Sequence, residues 1–283
     1  MRKWNVRLLA AALLALLLTG CRATPAEAES DPLRTYALEQ GWHAEMFAWF
    51  EFTDRAQIDA LTPGLDTPEA FVSGNRSRVD VLQTLTDGTT LYILLRMESQ
   101  TWGRYARCRA AFEADGADVL CESTAVGGEE PLFLCRFVGR PGGIRTGRVT
   151  LTVTPHLGDW SDGELKLTWK LQAGSVASRL VYAPGASFGG AQADAFAVAV
   201  TPLGVYFAAT AERPLLPETP ELTVTMRDNS WRRFDADTAE IELEAVQSRM
   251  GIRSDLRFYL PGFPNLGNAK SVTVCGTTVR LDG

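Results

Sequence analysis

Beyond Gly74, apolar residues recur at every second position over much of the chain, and this period of two most restricts what it can fold into. Leu165, Leu167, Trp169 and Leu171 alternate with Lys166, Thr168 and Lys170, and Val149, Leu151 and Val153 alternate with Thr150, Thr152 and Thr154. Successive side chains leave a strand on opposite sides, so such segments are strands with one apolar and one polar face. Val79 to Leu85 and Thr89 to Met97 flank Asp87-Gly88. That spacing predicts a two-residue hairpin with positive φ at both turn residues. Tyr105 to Phe112, Val119 to Thr124 and Leu132 to Val138 continue the series as short hairpin strands.

The stretch from Ala173 to Ala193 is rich in Ala, Ser and Gly, with Pro184-Gly185 and Gly189-Gly190, and reads as a domain boundary. A second series follows it: Phe196, Val198 and Val200; Leu222, Val224 and Met226; Ile241, Leu243 and Ala245; Leu256, Phe258 and Leu260. A last hairpin joins Val272 and Val274 to Val279 and Leu281 across Gly276. Strands at this spacing with no long helices between them pack as sandwiches rather than as a parallel sheet. Only the segment before them differs. Leu33, Tyr36, Ala37, Met46, Phe47 and Phe50 have helical spacing, and Asp54 is placed to cap a short helix that Thr62-Pro63-Gly64 stops.

The N-terminus sets location. Arg2, Lys3 and Arg7 precede an unbroken Leu and Ala run from Leu8 to Leu18, the layout of a secretory signal. The run is shorter than the roughly 20 apolar residues of a membrane span. Leu18-Thr19-Gly20-Cys21 resembles the bacterial lipobox, whose cysteine is diacylated before the peptide is cut in front of it. Residues 1–20 are then a signal and 21–31 a polar tether, with the membrane reached through lipid on Cys21.

Loss of Arg2, Lys3 and Arg7 with the signal takes the net charge from −6 to −9. Such a surface repels phosphate backbones, which excludes nucleic acid as the expected partner. Of the other cysteines, Cys108, Cys121 and Cys135 would form one row across three hairpin strands. One disulfide within that row and three buried thiols both satisfy the pattern. Cys275 stands apart, and with only His43 and His156 available no zinc-ligand spacing exists, so no metal or cofactor is expected.

Phe47 to Phe52, Asp87-Gly88-Thr89-Thr90-Leu91-Tyr92, Val200-Thr201-Pro202-Leu203-Gly204 and Lys270-Ser271-Val272-Thr273-Val274-Cys275-Gly276-Thr277 together resemble extracytoplasmic domains of Gram-positive surface proteins associated with sigma factors. These are families described as domains of unknown function. The resemblance implies immunoglobulin-like sandwiches. Its members usually follow a single transmembrane helix, whereas this chain carries a lipobox and no cytoplasmic part, so direct contact with a sigma factor is not expected. The expected fold is all-β: two tandem immunoglobulin-like antiparallel β-sandwiches, 67–175 and 176–283, after a short helical segment at 32–66.

Catalytic motifs fail on context. Gly185-Ala186-Ser187-Phe188-Gly189 has the spacing of a serine elbow, but both histidines precede Ser187, and strand-forming residues follow it. Gly262 to Gly267 has the glycine spacing of a phosphate loop, with Asn268 where lysine is needed. The acidic turns at 159–164 and 235–237 do not fit a calcium loop. Glu129-Glu130 on a hairpin turn reads as a solubilising pair, although a carboxylate-only glycan hydrolase is the competing reading. A purely structural envelope protein is a third.

The expectation is therefore a non-catalytic binding or sensing module for a protein or glycan, with contacts on turns carrying aromatic residues. The candidates are Trp160 with Asp159 and Asp162, and Trp231 with Asp228. Replacing Cys21 by Ala should leave an uncleaved or mislocalised precursor that no longer incorporates labelled palmitate; unchanged labelling would refute the lipobox.

Overall fold

The computed structural model describes residues 31–99, 107–113, 120–126, 132–139, 142–157, 159–161, 163–172, 176, 178–182, 187–188, 191–215, 217–248, 251–260 and 266–281. Cys21 lies outside them. Three short helices come first. Asp31 caps α1 (Pro32–Glu39) by accepting the Leu33 N–H. His43 caps α2 (Ala44–Phe50) through the Glu45 amide, and Asp54 caps α3 (Arg55–Leu61) through that of Gln57.

The first half then continues as β1 (Leu65–Asp66), β2 (Ala70–Ser73), β3 (Ser77–Thr86), β4 (Thr90–Ser99), β5 (Arg107–Glu113), β6 (Leu120–Val126), β7 (Leu132–Val138), β8 (Gly147–Leu157), β9 (Trp160–Ser161) and β10 (Leu165–Leu171). These make two antiparallel sheets, β1-β3-β4-β7-β6 with β2 on β3, and β10-β8-β5 with β9 on β8. Val81, Ile93, Leu95 and Phe137 of the larger sheet share a core with Phe112, Leu151, Leu167 and Trp169 of the smaller. Along β10, buried and exposed residues alternate without a break.

The larger sheet is covered on its other face too. Leu85, Tyr92, Leu94 and Leu134 pack with Met46, Phe47, Phe50 and Ile58 of the helices. This is why Leu91 to Leu95 is a continuous apolar run: β4 has no face left for water. Buried Gln83 ties the helices down, accepting the His43 N–H at 2.9 Å and donating to the Gly41 carbonyl at 2.7 Å.

The second half comprises β11 (Arg179–Tyr182), β12 (Ser187–Phe188), β13 (Ala191–Gln192), β14 (Ala195–Thr201), β15 (Gly204–Ala211), β16 (Leu222–Met226), β17 (Trp231–Phe234), β18 (Glu240–Ser248), β19 (Gly251–Tyr259), β20 (Ala269–Val274) and β21 (Thr277–Arg280). The sheets β11-β14-β15-β19-β18 and β17-β16-β20-β21 enclose a second core, with Phe196, Phe207, Leu256 and Phe258 on one side and Leu222, Val224, Val272 and Val274 on the other. The chain is thus predominantly antiparallel β.

Three sequence expectations are corrected. The stretch from Ala173 to Ala193 is not only a boundary, because β11 within it pairs with β14, Arg179 opposite Val200. The three-cysteine row does not form. The chain crosses between sheets after β5, which pairs with β8 and sets Cys108 opposite Pro155. On β6, Cys121 stands opposite Phe137, and Ser123, not Cys121, opposite Cys135. Cys135 is buried in the first core; the side chains of Cys108 and Cys121 lie outside the described residues. Thirdly, the Asp87-Gly88 turn has positive φ only at Gly88, at 85°. The Asp87 carboxylate closes the turn instead, Oδ1 accepting the Thr89 and Thr90 amides at 2.9 and 2.7 Å.

That carboxylate also reaches the other half. Asp87 Oδ2 accepts from the Thr201 hydroxyl at 2.5 Å, and beside it Thr90 Oγ1 donates to the Tyr206 hydroxyl at 2.9 Å. Val138 packs with Ala199, Tyr206 and Tyr259. Arg136 bonds Glu240 at 2.8 Å with its guanidinium 4.2 Å from the Tyr259 ring centroid. Leu203, from the turn between β14 and β15, is buried in the helix-side cluster.

Burial pushes the Asp87 carboxyl above its ordinary value, against the bonds from Thr201, Thr90 and Thr89 that favour the anion. A carboxyl raised in the folded state contributes stability that is fully present below its unfolded value, about pH 3.9, and is lost as pH rises through the folded one. Asp87→Asn keeps the Oδ1 acceptor and can donate to Thr201, so it should become progressively more stable relative to the native chain between acid and neutral pH. Asp87→Ala should cost roughly 1–3 kcal/mol for each buried donor left unmet. Urea midpoints across that pH range test this; an Asn variant with the native pH slope would sink it.

Candidate binding surface

The sequence places its two tryptophan sites on turns, and the structure separates them. Asp159 is an exposed turn residue before β9, where Trp160 pairs with Leu157 at the edge of the first half's smaller sheet. The Trp160 side chain and Asp162 lie outside the described residues. Trp231 and Asp228 belong to the β16–β17 hairpin in the second half. Asp228 Oδ1 accepts from the Ser230 hydroxyl at 2.6 Å and its amide at 2.9 Å, which holds this carboxyl below its usual range. Its visible work is to shape the turn, with Asn229 at a φ of 64°.

Trp231 stands 66% exposed at the start of edge strand β17. Large aromatics ordinarily bury most of their area, so this exposure marks a surface rather than a core cap. Val224 faces the core, so Thr223 and Thr225 face outward, and the strand register extends their rows across the whole sheet. One row runs Trp231, Thr225, Ser271, Arg280; the next runs Arg233, Thr223, Thr273, Thr278. With strands about 4.8 Å apart, each row is roughly 14 Å long. Thr273 and Thr278 hydroxyls lie 2.8 Å apart, and Arg233 pairs with Glu221. The result is a flat face of hydroxyls bounded by an indole and two guanidinium groups.

The outer face of the other sheet is closed by contrast. Arg253, Asp255 and Arg257 on β19 are 7%, 3% and 3% exposed. Arg253 bonds Asp255 at 2.9 Å, and Arg257 bonds Glu242 at 3.1 Å, with Tyr259 also donating to Glu242 at 2.7 Å. This network went unnoticed in the sequence, where Leu256 and Phe258 carried the strand assignment. Its signal was the odd-numbered charge series of β19 opposite Glu240, Glu242 and Glu244 on β18. Likewise the threonine rows of the open face are ordinary outward strand residues until register aligns them.

Among the described residues, no group of three or more His, Cys, Asp or Glu could hold a metal ion. Ser187 lies on β12, paired with β13, so it does not sit on a strand-to-helix elbow. His43 caps a helix through Nδ1.

No family model matches the chain, and no curated protein matches it. A crystal structure of a conserved domain protein from Bacillus anthracis aligns with 74% of this chain and 76% of its own at 15% identity, with a TM-score of 0.46.

Trp231→Ala should change stability by no more than about 0.5 kcal/mol, as surface substitutions do. Trp169→Ala, in the first core, should cost about 3–5 kcal/mol. Denaturant unfolding of both variants separates an exposed tryptophan from a core one.

Proposed function

We propose that this chain is an extracytoplasmic lipoprotein, anchored by lipid on Cys21, that binds a partner without catalysing a reaction. In this reading the mature part is two tandem immunoglobulin-like sandwiches. Support for that comes from two pairs of antiparallel sheets, each pair around its own core. The observation that carries the binding role is Trp231, 66% exposed beside outward rows in which Thr223, Thr225, Ser271 and Thr273 are partly exposed. A rigid sheet holds the contact residues in place before the partner arrives, which lowers the ordering cost of binding.

A photoreactive side chain in place of Trp231, on lipoprotein displayed by intact cells, should give a saturable adduct that the same group at exposed Glu51, on the helices, does not give. Turnover of a polysaccharide, peptide or ester by the pure protein would overturn the non-catalytic reading. Equal labelling from both positions would overturn the choice of surface.

A further inference from the structure

We infer that the open face of the second half binds an anionic polysaccharide, an inference that rests on the reading of this face as the contact surface. Charge is the first reason. The four strands β17, β16, β20 and β21 carry Arg232, Arg233, Lys270 and Arg280 and not one Asp or Glu, in a chain whose net charge is −6. The strands of the sheet packed against it carry four acids, Glu240, Glu242, Glu244 and Asp255, against three arginines, Arg179, Arg253 and Arg257. Within the second half, the excess of positive charge therefore lies on this sheet, with Arg233 and Arg280 in its outward rows, and it draws a polyanion there.

The arrangement of the face selects the kind of polyanion. Arg280 ends one row and Arg233 begins the other, with the hydroxyls of Thr223, Thr225, Ser271 and Thr273 between them. Each guanidinium presents a planar fork that fits a carboxylate or phosphate oxygen pair. The intervening hydroxyls both donate and accept, as sugar hydroxyls do. The exposed Trp231 ring offers a flat, electron-rich face to the C–H side of a sugar ring. Arg280 has no ion-pair partner among the described residues. The exposed pair between Arg233 and Glu221 is the weak kind that a second carboxylate can rearrange. A flat face with separated charges suits an extended polymer, not a small anion, which needs a cradle. A protein partner would call for an apolar hot-spot cluster, whereas Trp231 stands among hydroxyl and guanidinium groups.

The test uses the lipoprotein in mild detergent and two forms of one polymer, polygalacturonate and its fully methyl-esterified, neutral form. Retardation in an affinity gel should occur with the acid form and not the ester, and should weaken as salt rises from about 20 to 300 mM. Trp231→Ala and the double variant Arg233→Gln with Arg280→Gln should each weaken binding about tenfold or more, while the Lys pair at the same positions, which keeps the charge but not the fork, should fall between the Gln pair and the native chain. Superposable circular dichroism spectra establish that these surface variants fold. Equal retardation by the ester, no effect of the Gln pair, or equal binding of single-stranded DNA would overturn the inference. If neither polymer binds but the photoreactive residue at position 231 captures a protein, the polysaccharide inference falls and the binding role stands. If neither happens, both fall.

Discussion

A carboxylate buried where two sheets meet has to find its donors there, and Asp87 finds them on both sides. Its two oxygens take the Thr89 and Thr90 amides from its own turn and the Thr201 hydroxyl from the other half. An unmet buried charge would be costly, so the geometry of one turn fixes the approach of the β14–β15 turn. Tyr206 reaches Thr90 and Leu203 enters the helix-side cluster on either side of that contact. The Arg136 to Glu240 bond, with its guanidinium over Tyr259, then sets the remaining orientation at the rim. Each half has its own apolar core, and the contact between them adds directional polar bonds to the packing of Val138 on Ala199 and of Leu203 in the helix-side cluster.

The two outer faces of the second half show how the same strand chemistry yields opposite surfaces. On β19, Arg253 pairs with Asp255 of the same strand and Arg257 with Glu242 of the neighbouring one, and both arginines are almost wholly covered, so their charge is met internally. On the opposite sheet, threonines and serines occupy the equivalent outward positions, leaving the basic groups at the edges facing water. The first face contributes rigidity and fixed register; the second is free to meet something else. Charged edge strands also discourage strand-to-strand aggregation, a purpose the arginines of β17 serve with or without a ligand.

Much of this was legible along the chain. The strand periods, the Asp54 cap, the helical spacing of Met46, Phe47 and Phe50, and the core placement of Trp169 follow from local patterns that the structure repeats. The Asp87 turn was legible as a turn but not in kind, because the sequence does not reveal that the side chain would be buried and so available to close it. The cysteine row failed for a related reason. Hairpin arithmetic assumes that consecutive strands stay in one sheet, while β5 leaves for the sheet of β8 to place Phe112 in the shared core.

For the surface, Trp231 could be singled out as a tryptophan beside a turn, but its partners could not. Thr225, Ser271 and Arg280 are 6, 40 and 49 positions away in the sequence and become neighbours only through register. The sequence by itself determined where strands lie and which of their faces is apolar, because alternation is a property of a single segment. Only the tertiary structure decided which strands share a sheet, which carboxylate is buried and which polar rows align, because those depend on contacts between segments whose separation in sequence carries no record of them.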